Sequence, residues 1–221
     1  MFRATGPGFE LARFEEEPVL GIIRGIVAES LPGVMDAAIA AGLRFVEITL
    51  NTSGAPRLIE KTRKDYGNSL CVGAGTVLSV KDALTAANSG ADFLVSPTVK
   101  EEVAAFCRER NLAYFPGAFS PSEIERAWDA GAAMVKVFPA SQLGPGYFRE
   151  IKGPFQDIRL MAVGGVNRDN VAKYLEAGAS GVALGGSVFS AARMTNGEFS
   201  AIRSDIEGFL LAVRSFYSKI N

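Results

Sequence analysis

The chain has 221 residues, 48% of them apolar and 21% charged, which is enough to bury a core without disulfide or metal staples. Lys plus Arg (23) nearly cancels Asp plus Glu (24), and the net charge of −1 leaves no electrostatic footprint for nucleic acid. Histidine is absent, which removes histidine triads, histidine-ligated metals and the usual proton carrier, so a carboxylate, lysine, tyrosine or water must move any protons.

Short apolar runs alternate with amphipathic stretches along the chain. A strand over 19–23 (VLGII) precedes a helix over 31–41 that Gly42 closes. A second strand spans 45–50 (FVEITL), with a helix over 55–66. The third strand is 70–74, with a helix over 80–89, and the fourth is 92–95, with a helix over 100–110. The fifth strand is 113–115, and the helix over 121–130 starts at Pro121 behind Ser120 as N-cap. The sixth strand spans 133–138 and the seventh 158–163, followed by a helix over 168–177. The eighth strand is 181–184. Residues 1–17 read as an extra N-terminal helix capping the barrel, and 197–218 as a long C-terminal helix.

A weak repeat supports βα units. Ala41-Gly42, Ser89-Gly90-Ala91, Ala130-Gly131-Ala132 and Ala177-Gly178-Ala179 each stand between a helix and the next strand. Eight units at this spacing predict an α/β chain folded as one (β/α)8 TIM barrel over residues 1–221. A doubly wound sheet would want GxGxxG after its first strand, and Arg24-Gly25-Ile26 does not fit. Cys71 and Cys107 imply no disulfide framework and read as reduced residues of a cytoplasmic protein. The longest uncharged run, 177–192, is too short and too glycine-broken to span a bilayer. No basic segment followed by an apolar one suggests a signal peptide.

In such a barrel, function sits at the C-terminal ends of the strands. Lys136 lies in the otherwise apolar MVKVF strand. Burial lowers a lysine pKa and makes the amine a nucleophile toward a ketone, so Lys136 is a Schiff-base candidate. The alternative is a lysine paired with a carboxylate or snorkelling from a strand end. Glu47 shares a strand face with Thr49 and Asn51, opposite Val46, Ile48 and Leu50. It reads either as a general base with a raised pKa or as an ion-pair partner, with Lys136 the obvious mate.

Gly164-Gly165 follows the seventh strand and Gly185-Gly186-Ser187 the eighth, where barrels often bind phosphate on backbone N–H groups. Plain turn chemistry is the other reading of each glycine pair. Arg24 closes the first strand and Gly73-Ala74-Gly75-Thr76 the third. An arginine and a hydroxyl in one mouth suit a carboxylate or phosphate, although Arg24 also reads as a rim salt bridge. Ser96-Pro97 and Phe138-Pro139 would shape the pocket wall.

Taken in order, these pieces resemble the 2-keto-3-deoxy-6-phosphogluconate/4-hydroxy-2-oxoglutarate aldolases, class I enzymes with a (β/α)8 barrel. The resemblance runs from about residue 17 to 190. It rests on GLRFVEITL ending at Leu50, GAGTV from Gly73, Ser96-Pro97, VKVFPA from Val135, Gly164-Gly165 and Gly185-Gly186-Ser187. It implies Lys136 as the Schiff-base lysine and Glu47 as the general acid/base. Arg24 and Thr76 would hold the pyruvyl carboxylate or neighbouring oxygens, beside Thr49, Asn51, Pro97, Phe138, Val163 and Gly164. Gly165, Gly186 and Ser187 would take the phosphate, with Gly185 also among the substrate-binding residues. It also implies a homotrimer without metal or cofactor, acting on a small-molecule substrate.

Two positions depart from the gluconate pattern. Asn51 stands where arginine is usual, and Val163 where threonine is usual. Both look like the 6-phosphogalactonate branch, as does Gly144-Pro145-Gly146-Tyr147, whereas Gly153-Pro154-Phe155 looks like the gluconate branch. The rivals are another sugar-phosphate barrel enzyme without imine chemistry and a non-catalytic sugar-phosphate sensor.

Overall fold

The strands carry apolar runs on both faces because both faces are covered. The computed structural model describes residues 8–219. Helix α1 (Leu11–Glu16) leads into β1 (Val19–Ile23), α2 (Leu31–Ala40), β2 (Phe45–Thr49), α3 (Ala55–Tyr66), β3 (Cys71–Gly75), α4 (Val80–Asn88) and β4 (Phe93–Val95). The chain continues through α5 (Glu101–Glu109), β5 (Ala113–Phe115), β6 (Gly117–Ala118), α6 (Pro121–Asp129), β7 (Val135–Val137) and α7 (Ala140–Lys152). It ends with β8 (Leu160–Ala162), α8 (Val171–Glu176), β9 (Gly181–Leu184), α9 (Ala191–Thr195) and α10 (Phe199–Tyr217).

Every strand pairing is parallel, and β1 joins β9, which brings the first and last strands together. The expected eight strands are present, with the fifth divided. Pro116 separates β5, which pairs with β4, from β6, which pairs with β7. Proline has no N–H to give a ladder. Its carbonyl still accepts from Lys136 N–H at 2.9 Å, so the wall continues past the break.

Alternation along each strand separates two cores. Outward residues such as Val46, Ile48, Val72, Val135 and Val137 pack under the helices. Inward residues fill the barrel, with Phe45, Phe93, Phe115, Met134 and Met161 among them. Phe9 and Phe14 enter that interior core from the N-terminal segment. Phe14 meets Phe45 edge-on at 4.9 Å and Phe9 meets Phe115 at 5.5 Å. The N-terminal ends of the strands are therefore plugged, and the opposite end holds the inward polar residues.

The repeated glycines do what their spacing suggests. Gly42, Gly90, Gly131 and Gly178 have φ of 83–97°. In each case the next residue's N–H reaches back to a carbonyl five positions earlier, as in Leu43 to Ala38 and Ala91 to Ala86. Ser120 caps α6 in a reciprocal capping box with Glu123.

Several boundaries need correction. The helix expected over 1–17 is only Leu11–Glu16, and residues 1–7 of that expectation lie outside the described residues. The strands expected over 133–138 and 158–163 contract to three residues each. The helix expected from 168 starts at Val171, because an asparagine turn precedes it: Asn167 Oδ1 accepts from the Asp169 and Asn170 N–H groups. Helices α9 and α7 lie where no helix was expected, and α7 runs across Gly144-Pro145-Gly146. Gly144 does leave the helix, at φ 73° and ψ 171°, and the helix restarts at Pro145, where a missing N–H costs little.

Candidate active site

Lys136 and Glu47 both point into the barrel. Lys136 is 7% exposed on β7 and Glu47 is fully buried on β2. Burial lowers the Lys136 pKa. The Glu47 charge opposes that effect and the Arg24 charge adds to it. Burial raises the Glu47 pKa against the opposing charges of Lys136 and Arg24. In each residue desolvation outweighs mutual attraction, so both are pushed toward their neutral forms.

The ion pair that sequence offered as an alternative does not form. Neither Glu47 oxygen has a hydrogen-bond partner among the described residues. An unsatisfied buried polar group costs on the order of 1–3 kcal/mol. A carboxyl kept without a donor at the end of a barrel is therefore available to a ligand rather than used by the fold. Lys136 Nζ lies 5.2 Å from the centroid of the Phe138 ring, which covers it at the mouth.

Two glycines make room for this arrangement. A Cβ on Gly75 would stand 2.5 Å from Glu47 Oε1, and one on Gly73 would stand 2.3 Å from the Phe93 ring. The glycines of GAGTV are thus cleared space opposite inward side chains. Gly73 is the β3 register partner of Glu47 itself.

Neither Lys136 nor Glu47 lines the cleft of about 310 Å³ found at this end, but Phe138, which covers Lys136, and Arg24, whose charge acts on both, do. Arg24, Phe138 and Val163 line it from strand ends, and Gly164, Gly165, Gly185, Gly186 and Ser187 line it from the two glycine turns. Arg24 is exposed and makes no ion pair among the described residues, so the rim salt bridge is not made. Gly164 and Gly165 have φ of 97° and 76°, which demands glycine. Gly185 and Gly186 have neither positive φ nor any atom within 4 Å of a built Cβ. Their lack of side chains leaves backbone open to the cleft.

Thr49, Asn51, Thr76 and Pro97 do not line that cleft. Thr49 is buried and its hydroxyl bonds the Thr52 hydroxyl at 3.1 Å. Asn51 is exposed beyond β2, while Thr76, at φ 57°, and Pro97 are half-buried. Sequence reasoning passed over Ile22, Ala183, Val166, Asn167 and Phe189, which complete the lining. Inward alternation on β1 and β9 signals the first two. It also passed over Thr52, whose Oγ1 accepts from Gly25 N–H at 2.9 Å and ties the end of β1 to the end of β2. Nothing local marks that contact, since the partners stand 27 residues apart.

The profile of the family described as KDPG and KHG aldolase matches residues 11–204. The chain belongs to that family. It is an aldolase, an aldehyde-lyase of this type. It is 34% identical over 175 residues to the 2-dehydro-3-deoxy-6-phosphogalactonate aldolase of Escherichia coli K12, covering 79% of this chain and 85% of the relative. Relatives named for the gluconate compound match to a similar extent. A solved structure described as native KDPGal superposes with a TM-score of 0.86 at 31% identity, over 91% of this chain and 96% of its own. The Legionella pneumophila KDPG aldolase, solved with pyruvate captured as a covalent carbinolamine, superposes with a TM-score of 0.83 at 25% identity. That match covers 90% of this chain and 97% of the other. Among the described residues no helix is long and apolar enough to cross a membrane.

Proposed function

We propose that this aldolase cleaves a phosphorylated 2-keto-3-deoxy sugar acid to pyruvate and glyceraldehyde 3-phosphate through an imine on Lys136. The observation that carries the reading is the buried pair: a lysine driven toward the neutral amine beside a carboxyl that nothing in the fold uses.

Neutral Lys136 attacks the C2 ketone to give a carbinolamine, and loss of water gives an iminium. Glu47 takes the proton of the C4 hydroxyl as the C3–C4 bond breaks, and the bond electrons pass into the iminium to form an enamine. Glyceraldehyde 3-phosphate leaves. Glu47 returns its proton to C3, and water hydrolyses the iminium to release pyruvate and regenerate the amine. One carboxyl serves both proton transfers because its pKa is raised toward the working range.

Arg24 holds the substrate carboxylate, and the Gly164-Gly165 and Gly185-Gly186-Ser187 turns take the phosphate. The apolar Val163 and the uncharged Asn51, together with the E. coli relative, support the galactonate epimer as the preferred substrate. The short substrate 4-hydroxy-2-oxoglutarate would use the same imine chemistry to give pyruvate and glyoxylate. The free, buried thiols of Cys71 and Cys107 support a cytoplasmic enzyme. Exposed Leu78, Val80 and Leu84 offer an apolar patch suited to a homotrimer, which light scattering after size exclusion tests.

The deciding experiment is borohydride reduction in the presence of pyruvate, followed by peptide mass mapping. The expected product is a pyruvyl adduct on Lys136. An active enzyme without that adduct overturns the mechanism. A coupled pyruvate assay with the galactonate epimer, the gluconate epimer and 4-hydroxy-2-oxoglutarate ranks the substrates.

A further inference from the structure

Arg193 bonds the end of the Gly185-Gly186-Ser187 turn and is not among the residues that line the cleft. It belongs to α9, whose N-terminal turn Ser190 caps through its side-chain oxygen. The Arg193 side chain is one-fifth exposed and does not line the cleft. Its Nη1 donates to the carbonyls of Ser187 and Val188, both at 3.2 Å. Asp205 on α10 lies 2.8 Å from the same nitrogen, and Glu198 lies 3.3 Å from Nε. The two carboxylates orient the guanidinium and offset its charge, so its influence on the turn runs through the two carbonyls.

Following the amides shows where that influence goes. The amide that carries the Ser187 carbonyl also carries the Val188 N–H, which donates to the Gly185 carbonyl at 3.0 Å. The amide that carries the Val188 carbonyl also carries the Phe189 N–H, which donates to the same Gly185 carbonyl at 2.9 Å. Both branches converge on one acceptor. The amide of that acceptor carries the N–H of Gly186, a residue that lines the cleft, and this N–H has no partner among the described residues. Space beside Gly186 is open, with nothing within 4 Å of a built Cβ. In a chain of hydrogen bonds each donor polarises the next amide, so a cation at the far end strengthens the last N–H.

We infer that Arg193 is a positioning residue for the substrate's phosphate: it aims and polarises the Gly186 N–H through the turn without touching the ligand. The inference rests on the proposed reading of this cleft as a sugar-phosphate site. It adds a residue that no local motif marks and that stands outside the cleft.

The test runs the aldol direction with saturating pyruvate, comparing glyceraldehyde 3-phosphate with unphosphorylated glyceraldehyde, and measures inhibition by inorganic phosphate. Arg193→Met should raise KM for the phosphorylated aldehyde and Ki for phosphate about threefold while leaving the unphosphorylated reaction within about 1.5-fold, because the Gly186 N–H keeps its bond to phosphate and loses only its aim and part of its polarisation. Arg193→Lys keeps the charge but not the planar fork, and should lie between parent and Arg193→Met. It also supplies the measurement if Arg193→Met does not fold. Equal losses with both aldehydes, or an unchanged KM and Ki in the folded variant, overturn the inference. If the parent enzyme does not favour the phosphorylated aldehyde, the phosphate reading fails and takes this inference with it. A parent that does favour it, with variants that keep the preference, removes the Arg193 role alone.

Discussion

Gly75→Ala is a one-carbon change that separates the position of the Glu47 carboxyl from the stability of the fold. The added Cβ would lie 2.5 Å from Glu47 Oε1, 2.7 Å from its Cδ and 3.1 Å from Thr49 Cγ2. To restore van der Waals contact, the Glu47 carboxyl must retreat by about 1 Å. Gly75 has no positive φ, so alanine strains no backbone there, and the two atoms closer than 3.0 Å belong to the end of the Glu47 side chain, while Thr49 Cγ2 needs to give by only a few tenths of an ångström. The unfolded chain also loses entropy, which offsets part of any packing loss by about 0.4–1 kcal/mol. Thermal unfolding should therefore shift little. Catalysis should not be so forgiving, because a displacement of about 1 Å in a reacting group can cost about a hundredfold. A lactate-dehydrogenase-coupled assay should show kcat down by about that factor, with borohydride still capturing pyruvate on Lys136. A folded Gly75→Ala enzyme with near-parental kcat would refute the claim that Glu47 moves protons from its observed position.

Lys136→Ala removes the proposed nucleophile, and both turnover and borohydride capture of pyruvate should disappear while the circular dichroism spectrum persists. Glu47→Gln tests the pKa argument through stability. Burial raises the folded pKa of Glu47 above its unfolded value, so the native state binds more protons than the unfolded state and stability falls as pH rises through that window. Glutamine escapes the loss, so at about pH 8 its Tm should exceed the parent's by about 2–4 °C per kcal/mol relieved, the gap closing toward the ordinary carboxylate pKa. A gap that does not change with pH counts against a buried, raised Glu47. Thr52→Val strands the Gly25 N–H beside Arg24 and should raise KM for the keto acid several-fold, with Thr52→Ser restoring it. Phe14→Ala opens the plug at the other end of the barrel and should cost about 3–5 kcal/mol in urea unfolding. The proposed imine site at Lys136, at the far end of the strands, should keep its pyruvate adduct in the folded fraction.

Much of the fold was legible because its rules are local. Strand alternation placed Val46, Ile48 and Leu50 on one face and Glu47 on the other, and the chirality of the backbone made Gly42, Gly90, Gly131 and Gly178 readable as helix ends. The elements that were missed are those where a local rule was overridden. Helix α7 absorbs its Gly144 kink because Ala140, Phe148 and Ile151 have core to bury. The fifth strand splits at Pro116 yet keeps both neighbours.

For the site, residue type and strand position were enough to single out Lys136, Glu47, Arg24 and the two glycine turns, since a charge in an apolar strand or a glycine pair at a strand end is anomalous without any knowledge of contacts. Whether Glu47 would pair with Lys136 or stand free was not written in either strand. Tertiary packing decided it by burying both side chains and leaving the carboxyl without a donor. Packing also decided that Gly75 clears Glu47, that Thr52 holds Gly25, and that Arg193 bonds the Ser187 and Val188 carbonyls. Only the closing of the barrel brings Glu47 on β2 and Lys136 on β7 to face one another, and the desolvation that tunes them exists only once it has closed.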